Sequence, residues 1–418
     1  MNRRHFLRTL ALTSGLAIPF GRQAWAYSTS GSGNDQPHGR TPRLVVIMLR
    51  GAVDGLSIVA PHGDPDYARA RPNIALAPPG AEDGLLDLDG HFGLHPALSP
   101  LFPLWQQGKL AFVHASGSPD PTRSHFDAQD YLESGTPGRK STPDGWLNRL
   151  AALLPGEPSP MRAIGLGPVL PRILSGSAPA TNLAFAAGKN KPELLDRPAV
   201  ATAFDQLYRR DDRLGRAYAE GRETRKEILA AGSEQEMRMA DNGAPLPNGF
   251  PAEAAHLARL MRGNDSIRLA FVALGGWDTH ANQGKARGQL ANRLAPLGQG
   301  LAELASRLGP LFDDTAIVVM SEFGRTVREN GNGGTDHGHG NVMWLLGGSL
   351  AGGRVLGEWP GLHPSRLYEG RDLAVTTDYR NVLGEVLRSH LRVQETAAAN
   401  VFPGAPGGSN ALRGMFRA

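Results

Sequence analysis

The sequence predicts an α/β protein with a central, mostly parallel sheet, helices on both faces and a helical insertion. Strand-like runs at 44–49, 269–274 and 316–320 are continuously apolar and rich in branched residues. Such runs indicate strands buried on both faces, as in a parallel sheet covered by helices. Acids and histidines follow these runs, and ligands in such sheets bind beyond the carboxyl ends of the strands. We therefore expect distant residues to converge on one edge, where oxygen and imidazole ligands favour a transition metal.

The first 26 residues contain the parts of an export signal in order. Residues 2–8 closely match a twin-arginine motif, residues 9–20 are largely apolar, and 24–26 form an Ala-Trp-Ala cleavage site. This order predicts a signal peptide, the twin-arginine translocase as a partner, and a periplasmic or secreted protein. The alternative is a basic, frayed N-terminus. The apolar stretch is too short and too broken by Gly and Pro to span a membrane, so no integral membrane segment is expected after cleavage.

Composition narrows the function classes. Four arginines and no acids fall in the leader, so the rest of the chain has 40 basic and 40 acidic residues and its charges balance. No basic stripe points to nucleic acid, and that class of partner is not expected. The chain has no cysteine, which excludes disulfides, thiolate metal sites and cysteine nucleophiles.

The predicted organisation is a flexible linker at 27–42 followed by one α/β domain at 43–418. A stretch rich in Ala, Arg and Glu at about 198–240 predicts the helical insertion, and 61–100 predicts a long loop over the sheet edge. The expected strands are 43–49, 110–114, 163–166, 268–274, 315–320 and 342–347. The expected helices are 146–154, 249–262, 285–308 and 379–391.

Two candidate ligand groups follow strand-like runs. Asp54 follows the first run between glycines, which favours a metal ligand, although a turn aspartate before a helix is a common alternative. Asp278 and His280 are two residues apart, so in extended backbone both side chains point to one side and can hold one ion. The alternative for this pair is a surface loop with an incidental histidine.

A second pair of groups lies near the next predicted strand. Glu322 is expected to be a metal ligand, a general base or an acid at a helix N-terminus. Arg325 is a candidate for gripping an oxyanion, with a salt bridge to Glu322 as the alternative. The string 336–340, Asp-His-Gly-His-Gly, predicts one metal ligand, either His337 or His339, and a flexible polar loop is the alternative.

The residues around Ser124, at 122–127, predict that it opens a helix. A serine there has backbone amides and a helix dipole to stabilise an attacking oxygen and an anionic substrate. The favoured alternative is an N-cap serine with Asp127 at the third helical position. Arg123 and His125 flank it and are candidates for the same pocket. No complete phosphate loop, G-x-S-x-G elbow or dinucleotide fingerprint is present.

Taken jointly, the leader and the motifs at 49–56, 123–126, 276–280, 321–326 and 336–340 resemble an exported bacterial family. That family is catalogued as domain of unknown function 1501, and it is grouped with the alkaline phosphatase and sulfatase-like superfamily. The resemblance covers nearly the whole mature chain. It implies an alkaline-phosphatase-like fold and carries no established activity.

The superfamily's order of motifs implies a role for each group. It makes Asp54 the first acid, Ser124 the nucleophile, Asp278 with His280 the third element, Glu322 the next acid and His339 the last ligand. The chain departs from the pattern in three places. Phe323 stands where a histidine is usual, the spacing from Asp278 to His280 is short, and Glu322 replaces Asp. One metal position thereby loses an imidazole, and a formylglycine sulfatase is not expected.

The resulting hypothesis is a metal-dependent hydrolase of a phosphate or related ester in the cell envelope, acting on a small anionic ester. One or two divalent ions, zinc, manganese or similar, would be held by the candidate acids and histidines and would activate the attacking group. Arg325 or Arg123 would hold the substrate's non-bridging oxygens. The alternatives are a non-catalytic envelope binding or assembly protein on a hydrolase scaffold, and a metal-free serine esterase that uses Ser124.

Overall fold

The computed structural model describes residues 41–184, 239–408 and 410–417. The predicted leader, the predicted linker except residues 41–42 and the predicted insertion except residues 239–240 lie outside these ranges. In the described part, no helix combines the length and the apolar character needed to cross a membrane.

The described strands form one large sheet and one small one. In chain order they are β1 (Arg43–Leu49), β2 (Val59–Ala60), β3 (Leu86–Asp87), β4 (Gly93–Leu94), β5 (Leu110–Gly117), β6 (Ala163–Leu166), β7 (Thr181–Leu183), β8 (Leu269–Leu274), β9 (Thr315–Ser321), β10 (Asn341–Leu346), β11 (Arg354–Leu356) and β12 (Thr377–Asp378). The large sheet has nine strands in the order β11-β5-β10-β9-β1-β8-β6-β7, and β12 also pairs with β5. Strands β2, β3 and β4 form the small sheet.

The described helices pack on both sides of the large sheet. They are α1 (Gly55–Ile58), α2 (Pro65–Ala70), α3 (Phe102–Gln106), α4 (His125–Ser134), α5 (Trp146–Leu153), α6 (Phe250–Gly263), α7 (Gln289–Leu308), α8 (Tyr379–Glu385) and α9 (Glu395–Val401). One apolar core joins the sheet to α6 and α7, and another joins it to α5, α8 and α9.

Strand β1 shows why its sequence is continuously apolar. Val45, Ile47 and Leu49 belong to the first core, whereas Leu44, Val46 and Met48 belong to the second. Successive side chains of a strand point to opposite faces, so a strand covered on both sides needs no polar position. Each such buried side chain contributes about 1.5–3 kcal/mol. The predicted α/β architecture with a mostly parallel sheet is confirmed.

The strand register aligns the carboxyl ends of β1, β8 and β9 at one edge of the sheet. β1 runs parallel to β8 and β9, and its last residue, Leu49, pairs with Leu274 and Ser321. β10 runs antiparallel to both β9 and β5, so its first residue, Asn341, lies opposite Ser116 near the end of β5. The loops that follow β1, β5, β8 and β9 therefore meet the loop that precedes β10 at one edge of the sheet.

All six strands expected from apolar runs are present, within three residues of the expected ends. The expected loop at 61–100 instead contains α2, β3 and β4. These elements have only two to six residues each, too few to display a periodicity in the sequence.

Candidate metal centre

Three segments at the aligned edge bring one acid and three histidines together. Asp278 and His280 lie in the extended loop after β8, and His125 is the first residue of α4, which follows β5. His337 lies in the loop before β10. The backbone of this loop is held at Gly338, whose N–H donates to the carbonyl of Gly324 at 2.8 Å.

The side chains converge through their Nε2 atoms and one carboxylate. The Nε2 atom of His337 lies 3.0 Å from the Nε2 atoms of both His125 and His280. Asp278 Oδ1 lies 3.0 Å from His280 Nε2 and 3.3 Å from His337 Nε2, and Asp278 Oδ2 lies 3.5 Å from His125 Nε2. Among the described residues, His125, Asp278 and His337 offer ligand atoms that all lie within 4.8 Å of one another.

A second set of groups holds each of these imidazoles through Nδ1. The Nδ1 atom of His125 lies 2.8 Å from Glu322 Oε1, and that of His280 lies 3.2 Å from Asp336 Oδ1. The Nδ1 atom of His337 lies 3.0 Å from the carbonyl oxygen of Arg123. All three partners are acceptors, so each Nδ1 carries a proton, and each Nε2 can then either donate a second proton to Asp278 or present a lone pair to an ion. Two Nε2 atoms 3.0 Å apart fit together when a proton or a cation lies between them.

This donor set fits a divalent transition metal. Nitrogen ligands of zinc lie about 2.0–2.1 Å from the ion, which places tetrahedral ligand atoms roughly 3.3 Å apart, close to the separations found here. Imidazole nitrogen suits zinc and its neighbours in the first transition row. Acceptors behind the Nδ1 atoms of ligating histidines are the usual arrangement in such sites.

The local charges shift the pKa values of the cluster strongly. Burial would raise the pKa of Asp278, but hydrogen bonds from His125, His280 and His337 and the charge of Arg325 lower it well below its usual range. Burial would lower the pKa of His125, but Asp278 and Glu322 raise it to about 9. The hydrogen bond to Asp278 raises the pKa of His280 despite its partial burial. Asp278 is thus an anion that attracts positive charge to this point.

Glu322 contacts the cluster only at His125, whose Nδ1 atom faces the Glu322 carboxylate. Its Oε1 atom accepts from the N–H of Gly51 at 2.8 Å and from Gln129 at 3.1 Å, besides its contact with His125. Burial would raise the pKa of Glu322, but the hydrogen bond and charge of His125 lower it. The carboxylate therefore orients His125 in this geometry, and its direct ligation of an ion stays a prediction.

Asp54 is not brought into the cluster. Arg71 donates to both of its carboxylate oxygens, at 2.6 and 3.0 Å, and Ser57 and Gln283 donate to Oδ2 at 2.7 Å each. Burial would raise the pKa of Asp54, but the charge and hydrogen bonds of Arg71 lower it. Asp54 also precedes the first residue of α1, which is the placement that the turn alternative describes. Its expected metal contact would have to displace a buried guanidinium.

Arg325 and Arg123 both have carboxylate partners. Arg325 is fully buried and donates to Asp278 Oδ1 at 2.7 Å, so the salt bridge it forms is with Asp278 and not with Glu322. Its Nη2 atom is buried without a hydrogen-bond partner in the described part of the chain. Arg123 pairs with Glu369 and Asp372 at 2.6 Å each, and only its backbone carbonyl contacts the cluster.

Ser124 and His339 lie beside the cluster without joining it. Ser124 is exposed and is the N-cap of α4, where its hydroxyl faces the N–H of Asp127 at 3.5 Å. His339 is buried, and its ring packs on Tyr368 with centroids 4.7 Å apart. Of the two histidines in the 336–340 string, His337 is the one in the cluster.

His125, expected from the sequence only to flank Ser124, is a member of the cluster, and Asp336 is the acceptor beside Nδ1 of His280. The position of His125 in the chain could have identified it as a candidate ligand. It begins the helix that follows β5, and the end of β5 lies at the edge where the other candidate ligands meet. That placement depends on the antiparallel β10 between β5 and β9, which the apolar runs do not specify.

Several solved structures are similar to this chain. The C-terminal periplasmic domain of EcEptC from Escherichia coli, in complex with Zn, has 9% identity and a TM-score of 0.33, covering 74% of this chain and 73% of that one. A protein in the alkaline phosphatase superfamily from Vibrio parahaemolyticus has 10% identity and a TM-score of 0.36, with coverages of 76% and 64%. A putative sulfatase from Bacteroides fragilis has 11% identity and a TM-score of 0.32, with coverages of 90% and 81%. Likenesses at this level carry no argument about function.

No curated protein matches the sequence. A family model does match, and it spans residues 41–401, which include β1–β12, α1–α9 and every member of the cluster. By this match the chain belongs to the family described as Protein of unknown function (DUF1501).

Proposed function

We propose that this protein is a metal-dependent hydrolase of phosphate or related esters, with one divalent ion held by His125, Asp278, His280 and His337. The observation that carries this proposal is the convergence of three Nε2 atoms on the Asp278 carboxylate, with an acceptor beside every Nδ1.

The charge pattern supports one ion. Asp54, the acid expected to serve a further position, is already neutralised by Arg71. Glu322 is engaged by His125, Gln129 and the Gly51 amide. Only Asp278 and the three imidazoles remain as a convergent donor set among the described residues.

The exposure of the cluster supports catalysis over a purely structural ion. The side chains of His280 and His337 are 39% and 25% exposed, whereas that of Asp278 is 3% exposed. Catalytic sites keep a position open to water or substrate, and an ion with four protein ligands would provide one by taking a fifth ligand on this exposed side. When bound, the ion would polarise a substrate oxygen and lower the pKa of the attacking group.

The chain's own residues suit an anionic ester at the open side. The guanidinium of Arg371 is 45% exposed, donates to the carbonyl of His337 and pairs with Asp372 at 2.9 Å, so it lies at the exposed side of the cluster. Arg325 is buried and holds Asp278 from the other side. Ser124 is exposed next to the ligand His125 at the N-terminus of a ten-residue helix. There its hydroxyl serves either as nucleophile or as a hydrogen-bond donor to the substrate.

Metal analysis of the purified chain is the first test. We expect about one equivalent of zinc or manganese in the wild type, a loss of most of it in His337→Gln, and full retention in the control His256→Gln on α6. Less than about a third of an equivalent in the wild type would contradict the proposal.

Turnover of p-nitrophenyl phosphate, bis-p-nitrophenyl phosphate and p-nitrophenyl sulfate is the second test. We expect turnover of at least one of them, abolished by EDTA and by His337→Gln and retained in His256→Gln. Full metal occupancy without turnover would favour a binding or assembly protein. EDTA-insensitive turnover with covalent labelling of Ser124 would favour a serine esterase.

The proposal places the enzyme in the cell envelope, and this part rests on the sequence of the leader alone. Replacing Arg3 and Arg4 by lysine should keep the protein in the cytoplasm, while the wild type is recovered from the periplasm or medium. Equal export of the wild type and the lysine variant would contradict export by the twin-arginine translocase.

A further inference from the structure

A polar groove of about 880 Å³ opens beside the proposed centre. One wall is formed by the end of α2 and the residues after it, and the other by 281–282 and 328–333. Small-molecule sites have volumes of about 300–1,000 Å³, so the groove is large enough for a ligand. The polar side chains that line it include Arg69, Asn73, Asn282, Arg328, Asn330 and Asn332.

The groove and the centre share structural elements. Residues 281–282 directly follow His280, and the stretch 330–333 leads into the loop that carries His337. Asn330 Nδ2 donates to the carbonyl of His280 at 2.9 Å and to Asp336 Oδ1 at 3.0 Å. The same Asp336 oxygen holds His280 Nδ1. One groove side chain therefore supports a candidate ligand, and a molecule in the groove lies next to that ligand.

The free functional groups of the groove are mainly hydrogen-bond donors and cations. Among the described residues that line the groove, only Glu329 carries a carboxylate, and it accepts from the backbone N–H groups of Asn73 and Ile74 and from the Asn73 amide. That contact ties one wall to the other. The guanidinium of Arg69 is 71% exposed although it approaches Asp66 at 3.3 Å, and Arg328 is exposed. Amides and guanidiniums recognise hydroxyl groups and anionic oxygens.

We propose that this groove binds the non-reacting part of the substrate, and that this part is an anionic, hydroxyl-rich chain of the acidic saccharide type. This inference rests on the proposed function, because it takes the reacting ester to lie at the centre beside His280. The saccharide hydroxyls pair with the side-chain amides of Asn282 and Asn332, and its anionic groups pair with Arg69 and Arg328.

Calorimetric titration of the zinc-loaded protein tests the groove directly. The probes are a heparin-type sulfated hexasaccharide and neutral maltohexaose. The variants are the pair Arg69→Gln with Arg328→Gln, and the control Arg259→Gln on α6. We expect the sulfated probe to bind the wild type about tenfold or more tightly than the neutral one, and to lose about tenfold or more in the double variant. The control should match the wild type within about twofold.

Turnover of the short ester p-nitrophenyl phosphate separates this inference from the proposed function. If the sulfated probe binds through the arginines but no ester is hydrolysed, the proposed function fails while the groove remains a saccharide site. Absent binding, binding equal in the double variant, or equal binding of the neutral probe would overturn the groove inference even with an active enzyme.

Discussion

Two sets of buried or half-buried histidines in this molecule have opposite hydrogen-bond patterns. In the candidate centre, Nδ1 of His125, His280 and His337 faces an acceptor, and Nε2 faces the other ligands. In the apolar interior, Nδ1 of His95 and His114 accepts from the N–H of Ala97 and Ala115 at 3.0 Å each. Their Nε2 atoms donate to the carbonyls of Lys285 and Val59 at 3.1 and 2.9 Å.

The two patterns produce opposite electrostatic results. Burial lowers the pKa of His95 and His114 to about 4, so these rings are neutral and fully satisfied. The pKa of His125 is raised to about 9 because Asp278 and Glu322 outweigh the effect of burial. Neither the residue type nor its burial therefore distinguishes the two sets of histidines. The proposed metal ligands differ because each has an acceptor at Nδ1 and an Nε2 atom that faces other candidate ligand atoms.

The largest expected effect is on metal affinity. His337→Ala removes the ring whose Nε2 contacts both other histidines, and we expect the affinity for zinc to fall by about three orders of magnitude, as one of four ligands is lost. His114→Gln should leave the affinity per folded molecule within about twofold. Competition with a chromophoric chelator measures both. An equal loss of zinc affinity in His337→Ala and His114→Gln would show that the two sets of histidines do not differ in metal binding.

The second prediction concerns stability and pH. The pKa of His114 is about 4 in the folded protein and its ordinary value is 6.5, so the unfolded chain binds more protons between these values. Its contribution to the free energy of unfolding is therefore complete above pH 6.5 and is lost as the pH falls toward 4. The loss amounts to about 3 kcal/mol.

Urea unfolding in EDTA at pH 7 and pH 4 measures this effect. The His114→Gln variant should lose about 3 kcal/mol less than the wild type over that range, since all other titrating groups are shared. His95→Gln should behave in the same way, because its ring has the same contacts. An identical pH dependence in wild type and variant would show that His114 is not held neutral.

The third prediction concerns the acceptor behind His125. Glu322→Gln keeps the size of the side chain but removes the charge that orients the imidazole, and loss of such a support costs about 10- to 100-fold in metal affinity. Glu133→Gln is the matched control, since Glu133 is equally buried but pairs with Arg50 at 2.6 Å. It should lower stability and leave zinc affinity unchanged. A larger loss in Glu322→Gln than in His337→Ala would instead indicate direct ligation by Glu322.

The sheet could be predicted from the sequence because a strand that is buried on both faces has a continuous run of apolar residues, as in β1. The sequence also located the edge at which the candidate ligands Asp278, His280 and His337 meet. It could not separate Asp54 from Asp278, since both are acids that follow a strand beside glycine. Arg71, which neutralises Asp54, comes from the end of α2, in a stretch where the sequence predicted only a loop.

The smallest expected effect concerns Asp336, the acceptor behind His280. Its side chain is 57% exposed and lies 3.2 Å from His280 Nδ1, whereas Glu322 is buried and lies 2.8 Å from His125. Water screens an exposed carboxylate and can replace it as acceptor, so Asp336→Asn should weaken zinc binding by only about threefold to tenfold. The same chelator competition, run on both variants, ranks the two supports. A loss in Asp336→Asn that equals the loss in Glu322→Gln would mean that His280 contributes as much to the centre as His125, despite its greater exposure.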